Sequence, residues 1–469
     1  MEIPQHSGQV SEHATVLVED FRPLCESLEW QLGQLYYAKA GHKAFLSGNI
    51  PYLVNNSGVL STIAAELFFD SLLEREAKGL LGARMVALEP AVGSGLFARG
   101  LLRVFERICD ERSKDFPARL TFIAADAAPA MVSDIRRHGL LDGFKTRVRF
   151  ARTDVMTLHF EWLDGVPEPP QCFDAVFLNY VLDCLPSAVL RVRDGAVEQL
   201  SIQTRLLTED LADFTSLTPA EIVARAAGTE EDRLSLVDLY HLLELRYRFT
   251  PASQFEAPKA AEGEITIHNH AAIDCLHSIA RKLAPEAFVL ISDYAAQRRL
   301  ERDGSMAFQR FGGSSAMGLN MAQLGAHFNG VEDQSWIAPE CDDSNLVLRM
   351  LANGDGPQSW FRQHCGRTSI EWYTQPSDDA SRAWREGRMQ EALAAHQEAV
   401  RRCPDNWVAL GEAAHFCGAI LRAHGLAKEL AKAALEVNPV NPELWNTLGE
   451  ALYALGQINA AKEKFEGAR

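Results

Sequence analysis

The chain has 469 residues, of which 47% are hydrophobic and 23% charged, enough for about two to four folded domains and too apolar for a disordered tail. Its 46 Lys and Arg stand against 63 Asp and Glu, a net charge of −17, which argues against nucleic acid as a partner because phosphates are bound by clustered cations. The excess is uneven: from Ser381 onward there are 11 basic and 11 acidic residues, so the first 380 residues carry all of it and would suit a basic peptide substrate.

The opening stretch, MEIPQHSGQVSEHATVLVED, lacks the basic segment and apolar core of a secretory signal, and its acids argue against a transit peptide. No apolar run approaches the ~18 residues of a membrane span. None of the nine cysteines forms a CxxC pair. The expectation is a cytoplasmic protein with free thiols and no membrane partner.

In chain order, residues 1–80 read as a helical segment packing on a catalytic domain, with Glu66, Asp70, Glu74 and Glu76 interleaved in an apolar stretch at helical spacing from Ala64 to Leu81. From Met85 the apolar runs Met85–Leu88, Leu120–Ala124, Val148–Ala151 and Ala175–Leu178 alternate with amphipathic stretches. That alternation predicts an α/β domain over 81–370 with a doubly wound parallel sheet. Residues 196–280 read as a helical insertion forming a lid or substrate wall, with Thr218-Pro219-Ala220-Glu221 as a capping box. Ala287–Asp293 and residues 346–351 are expected to complete the sheet.

The last block, 381–469, is a repeat. Ala392, Ala427 and Ala461 are spaced by 35 and 34 residues, and Pro404 and Pro439 by 35. Its last unit, with Trp445, Leu448, Gly449, Leu452, Gly456, Ala461 and Phe465, resembles the tetratricopeptide (TPR) pattern of paired helices. The middle unit carries about four extra residues, since Trp407 and Trp445 are 38 apart. So short a stack is expected to lean on the enzyme domain or to pair with another chain, and to offer a surface for a protein or peptide partner. The bland alternative is a plain helical hairpin.

The sharpest chemical signal is Val86-Ala-Leu-Glu89-Pro-Ala-Val-Gly93-Ser-Gly95-Leu-Phe: a strand, a carboxylate, a glycine turn and a helix start. The glycines let the chain turn sharply and bring bare main chain to a ligand. An acid four residues before the first glycine suits a cation better than the pyrophosphate of a dinucleotide. Next, Asp126 ends the run Phe122-Ile-Ala-Ala-Asp126 and could accept two hydroxyl donors; a nicotinamide site or a helix cap reads the same way. Asp154 ends Val148–Asp154 and equally fits a plain cap. Asn179, Tyr180 and Asp183 follow the buried run Phe173–Leu178 at the carboxyl edge of the sheet, where open α/β folds bind ligands, and are the active-site candidates.

The Glu89–Gly95 segment resembles motif I of the class I S-adenosylmethionine-dependent methyltransferases, which share a Rossmann-like sheet. That resemblance implies S-adenosyl-L-methionine as cofactor, with Glu89, Gly93 and Gly95 holding its methionine part, Asp126 on the ribose, Asp154 near the adenine amine and Asn179 also on the cofactor. Asn179-x-x-x-Asp183-x-Leu185-Pro186 narrows it, being similar to the Asn-Glu-Phe-Phe-Asp-Ala-Leu-Pro loop of the MidA-like methyltransferases, a family that includes the mitochondrial complex I assembly arginine methyltransferase. Phe45–Asn56 and Leu290-Ile-Ser-Asp-Tyr-Ala295 agree with its other segments. The family's glutamate is Tyr180 here, which removes the carboxylate that would pair with a guanidinium, and its Asp-Tyr-Gly glycine is Ala295.

The implied reaction is displacement at a sulfonium, with Asp183 as the first candidate to contact or deprotonate the acceptor. The reading is a methyltransferase acting on a protein or peptide; the alternatives are a small-molecule O- or N-methyltransferase and an inactive scaffold. On the first reading, removing residues 381–469 weakens substrate capture and leaves cofactor binding intact. No metal is expected: His268-Asn-His270 and His364-Cys365 lack zinc spacing. Gly312–Gly318, with Ser314 and Ser315, is not a phosphate-binding loop and reads as a plain loop, with a flexible substrate-side loop as the alternative.

Overall fold

A computed structural model describes residues 14–41, 43–46, 56–164, 171–258, 260–296, 308–341 and 346–468. The chain divides into two compact units. One comprises Met1–Ala40, Cys184–His270 and Ala296–Asn320; the other comprises Gly41–Asp183, Ala271–Ala295 and Met321–Arg469.

The second unit is mixed α/β, built on an eight-stranded sheet. Across the sheet the strands run Gln334–Ile337, Leu346–Asn353, Leu283–Tyr294, Phe173–Asn179, Met85–Glu89, Leu120–Asp126, Val148–Asp154 and His159–Trp162. The five strands from Leu283–Tyr294 to Val148–Asp154 are parallel; Leu346–Asn353 and His159–Trp162 flank them antiparallel, and Gln334–Ile337 pairs antiparallel with Leu346–Asn353. Strands buried on both faces need continuous apolar sequence, and the first six residues of Phe173–Asn179 are all buried. The chain builds outward from Met85–Glu89 to one side and then returns to its other side with Phe173–Asn179. In open α/β sheets, ligands bind at such a reversal, beyond the carboxyl ends of the strands.

Helices Val59–Ala77 and Leu96–Glu111 pack over the sheet, with Phe68 lying 5.1 Å from Phe105 and 6.2 Å from Phe177 between ring centroids. Arg75, buried in the first of these helices, pairs with Asp174 at 2.8 Å, and Asp174 also accepts the Val86 N–H at 2.6 Å.

The same unit holds the helical C-terminal region: Arg367–Arg385, Met389–Arg402, Trp407–His415, His424–Val437, Pro442–Ala454 and Ile458–Gly467. Trp407 opens its helix whereas Trp445 is the fourth residue of Pro442–Ala454; their N-caps, Asn406 and Asn441, are 35 residues apart, so the wider tryptophan spacing marks unlike positions, and a π-helical turn at Phe416–Ile420 ends the first helix of the middle unit. Trp407, Leu410, Ala414, Ala431, Leu444, Leu448 and Ala461 share one apolar core.

In the first unit the expected helical insertion is corrected. Its centre is a five-stranded antiparallel sheet of Thr15–Pro23, Ala188–Arg193, Ala196–Leu207, Leu243–Pro251 and Ile265–His268. The reason is legible in Leu243–Pro251, where Leu243, Leu245, Tyr247 and Phe249 alternate with Glu244, Arg246 and Arg248. That is the period of a strand, not of a helix. Helices are present but short: Pro219–Ala226, started by the Thr218–Glu221 capping box, and Glu230–Leu234. Thr15–Pro23 likewise departs from the helical reading of residues 1–80. It pairs with Ala196–Leu207, with Leu17 opposite Arg205 and Arg22 opposite Ile202, a partner no local pattern reveals.

The Gly312–Gly318 stretch is not a free loop. Gly312-Gly313 turns a hairpin between Gln309–Phe311 and Ser314–Ala316, and both serines are buried. Ser315 is hydrogen-bonded to the Tyr240 hydroxyl, and its own hydroxyl donates to Glu29 at 3.3 Å. Glu29 in turn accepts two bonds of 2.6 Å from Arg310.

Candidate functional site

The carboxyl end of Met85–Glu89 delivers Glu89, whose residue is only 2% exposed. Between it and helix Leu96–Glu111 the chain reverses at Gly93 and Gly95, with φ of +49° and +76°. Only glycine adopts such angles cheaply, and a Cβ would also meet Phe45 at 3.1 Å from position 93 and Ile135 at 3.0 Å from position 95.

Asp126, ending the adjacent strand, faces back onto this turn. Its two oxygens accept the Gly93 N–H at 3.0 Å and the Ala128 N–H at 2.9 Å. Burial pushes its carboxyl up to about 6, while the N–H groups of Ala128, Gly93 and Ala127 pull it down. From the strand on the other side, Asn179 Nδ2 donates to Glu89 Oε1 at 3.2 Å. Burial holds the Glu89 carboxyl well above its usual range, against Asn179, which favours the charged form. Glu89 Oε2 and Asn179 Oδ1 are buried and have no hydrogen-bond partner among the described residues. Buried acceptors left open are costly, so this pair is built to meet a donor.

The loop after Asn179 is held by the neighbouring strand Leu283–Tyr294. Tyr180 takes a left-handed φ of +54°, donates its N–H to Ser292 O at 3.0 Å and stacks on Tyr294 with centroids 5.4 Å apart. A tyrosine in that region is strained, and such strain gathers at functional loops. Asp183 is 3% exposed. Asp293 Oδ2 accepts the Leu182 N–H at 2.9 Å and the Asp183 N–H at 3.4 Å, and the two carboxyls are hydrogen-bonded to each other. Burial, with the Asp183 charge beside it, raises Asp293 well above the carboxylate range.

Glu89, Gly93, Gly95, Asp126 and Asn179 are therefore one constellation, with Tyr180 and Asp183 on the loop that leaves it. Asp154 is not joined to it by any contact among the described residues. It is exposed, and its Oδ1 accepts the Met156 N–H at 2.9 Å, closing the turn before His159–Trp162. Of Phe45–Asn56, residues 47–55 lie outside the described residues. Its two ends meet the glycine turn, Phe45 at Gly93 and Asn56 Oδ1 accepting the Ser94 hydroxyl at 2.7 Å. Asp293 and Tyr294 were not among the site candidates; the signals for them were their place at the end of an apolar run and the resemblance of Leu290–Ala295 to the Asp-Tyr-Gly segment.

His268 and His270 sit beside Phe255, and among the described residues no three His, Cys, Asp or Glu gather as a metal site. No helix among the described residues is long and apolar enough to cross a membrane.

A strand, acid, glycine turn and helix at the reversal of a parallel sheet define a mixed α/β protein. Residues 78–316, slightly more than half of the chain, match the family described as "Putative S-adenosyl-L-methionine-dependent methyltransferase", and the chain belongs to that family. No curated protein matches it in sequence. Two similar solved structures come from Burkholderia thailandensis. One is an uncharacterized protein at 14% identity, covering 73% of this chain and 91% of that one with a TM-score of 0.44. The other, a member of the same superfamily bound to S-adenosyl-homocysteine, stands at 13% identity, with coverage of 73% and 91% and a TM-score of 0.45.

Proposed function

We propose that the chain is an S-adenosylmethionine-dependent methyltransferase of the MidA-like branch, with a doubly wound Rossmann-like sheet and TPR-like C-terminal repeats. The observation that carries this is the Glu89–Asn179 pair, each with an open acceptor at the sheet's reversal point. An ammonium group would satisfy both. Asp126 keeps lone pairs for a ribose diol, the Gly93–Gly95 turn offers bare main chain, and Asp154 is assigned to the adenine amine.

When bound, the cofactor supplies a methyl group on a sulfonium. The chain's own work is alignment. Asn179 and Glu89 hold one end of the ligand. The strained Tyr180, stacked on Tyr294, shapes the loop where the acceptor arrives. Asp183 contacts the acceptor from beside Asp293. The acceptor is a protein or peptide drawn by the acidic catalytic half. A small-molecule acceptor is the second reading, favoured by the packing of the repeats in one unit with the sheet.

Titration calorimetry of the full chain with S-adenosylmethionine should show micromolar binding, lost in Gly93→Arg, whose side chain would strike Phe45. No heat at protein concentrations that detect micromolar binding would sink the enzyme reading in favour of a scaffold. Methyl-labelled cofactor added to lysate, with Gly93→Arg as blank, separates the acceptor classes by whether label enters protein or the low-mass fraction.

A further inference from the structure

The C-terminal helices reach the glycine turn through a short chain of hydrogen bonds. Trp407, at the start of helix Trp407–His415, uses both its donors on successive carbonyls of one segment. Its Nε1 donates to Asn56 O at 2.6 Å and its backbone N–H to Ser57 O at 3.1 Å. The Asn56 side chain, whose peptide is thereby held, accepts the Ser94 hydroxyl in the middle of Gly93-Ser94-Gly95. Ser94 is buried, and its oxygen also accepts the Leu96 N–H at 3.3 Å, the first amide of the following helix.

Asp405 locks the same corner. Its carboxylate pairs with Arg103 at 3.2 Å and Arg107 at 3.1 Å, both on the helix that follows the glycine turn. Its carbonyl lies 2.0 Å from where a Cβ on Gly58 would stand, so the two backbones approach as closely as a glycine allows. Trp445, one repeat on, shows what an uninvolved tryptophan does here: its Nε1 donates to Pro439 O within its own repeat.

We infer that the C-terminal repeat is a working part of the cofactor site, with Trp407 a positioning residue that sets the Gly93–Gly95 turn through Asn56 and Ser94, and Asp405 seating it. The inference rests on the cofactor reading given above and adds to it a source of control: whatever occupies or displaces the repeat is felt at the turn.

The test uses the full chain. Trp407→Phe keeps the ring and removes the Nε1 donor; Trp445→Phe makes the same change away from the turn. Trp407→Phe should raise the Kd for S-adenosylmethionine about five- to tenfold, the scale of one lost buried hydrogen bond, with Trp445→Phe near wild type. Because the two groups act in series, Trp407→Phe should add little to Ser94→Ala in the double variant. Without any cofactor, hydrogen exchange of amides 90–96 should quicken in Trp407→Phe and not in Trp445→Phe. Unchanged exchange, or effects of Trp407→Phe and Ser94→Ala that multiply, would overturn the inference. Quickened exchange in a chain that binds no cofactor would uphold the positioning role and reject the cofactor reading instead. If Trp407→Phe fails to fold, Asp405→Asn replaces it, and exchange at 90–96 equal to wild type would overturn the inference.

Discussion

At the scale of single residues the site is a set of carboxyls kept in unfavourable places. Glu89 is buried with one oxygen open, and burial holds its carboxyl above the usual range. In the folded state it therefore keeps its proton to higher pH than in the unfolded chain, and its contribution to stability falls as pH rises through that window. Glu89→Gln should unfold at a higher temperature than wild type at pH 8, with the gap closing toward pH 5, while S-adenosylmethionine affinity drops about tenfold or more. Calorimetry and thermal denaturation across that range check both halves. Asp126, pushed up to about 6 by burial, accepts a pair of hydroxyls more strongly when ionised, so cofactor affinity should rise with pH through that value and level off above it. Asp126→Asn should remove that step.

A second buried carboxylate makes the opposite case. Glu29 is fully buried and spanned by Arg310. Arg310→Met leaves its charge unpaired in the interior, which should cost about 3–5 kcal/mol in a urea unfolding experiment on the full chain.

At the scale of elements, the loop after Phe173–Asn179 is shaped by the strand beside it more than by its own residues. Asp293 caps Leu182 and Asp183, Ser292 takes the Tyr180 amide, and Tyr294 stacks on the Tyr180 ring. Asp293→Ala should release the loop while leaving Glu89 and the glycine turn in place. The expected outcome is a fall in kcat with cofactor Kd within about threefold of wild type, read by labelled-methyl transfer and calorimetry. A parallel fall in affinity would mean the loop also carries the cofactor. The same scale explains the misread insertion: capping signals at Thr218 and Thr229 are local and mark short helices, while the alternation in Leu243–Pro251 marks the sheet they decorate.

At the scale of the whole molecule, the repeat cannot be treated as a detachable module. It lies in one compact unit with the parallel sheet and touches Asn56, Ser57, Arg99, Arg103 and Arg107. This reverses the expectation that residues 381–469 could be removed with cofactor binding intact. The truncated chain should lose S-adenosylmethionine affinity and melt at lower temperature than the full chain; wild-type affinity in the truncation would refute this. The net charge of −17 is shared almost evenly between the two units, so the acidity is not confined to the unit that carries the glycine turn.

The sequence by itself determined the parallel strands, the glycine turn and the carboxylate before it, because each is written in contiguous residues: apolar runs, φ-permissive glycines and an acid at fixed spacing. It also marked Asp126 and Asn179, which end such runs. Only the tertiary structure decided what these residues meet. The Asn179–Glu89 bond spans 90 positions, Asp293–Leu182 spans 111 and Trp407–Asn56 spans 351. Contacts so distant in sequence depend on how the sheet orders its strands and where the last helices pack, and no local period encodes either. Asp154 lies at the other extreme, its Oδ1 accepting an N–H only two residues on, a contact the local pattern already allowed.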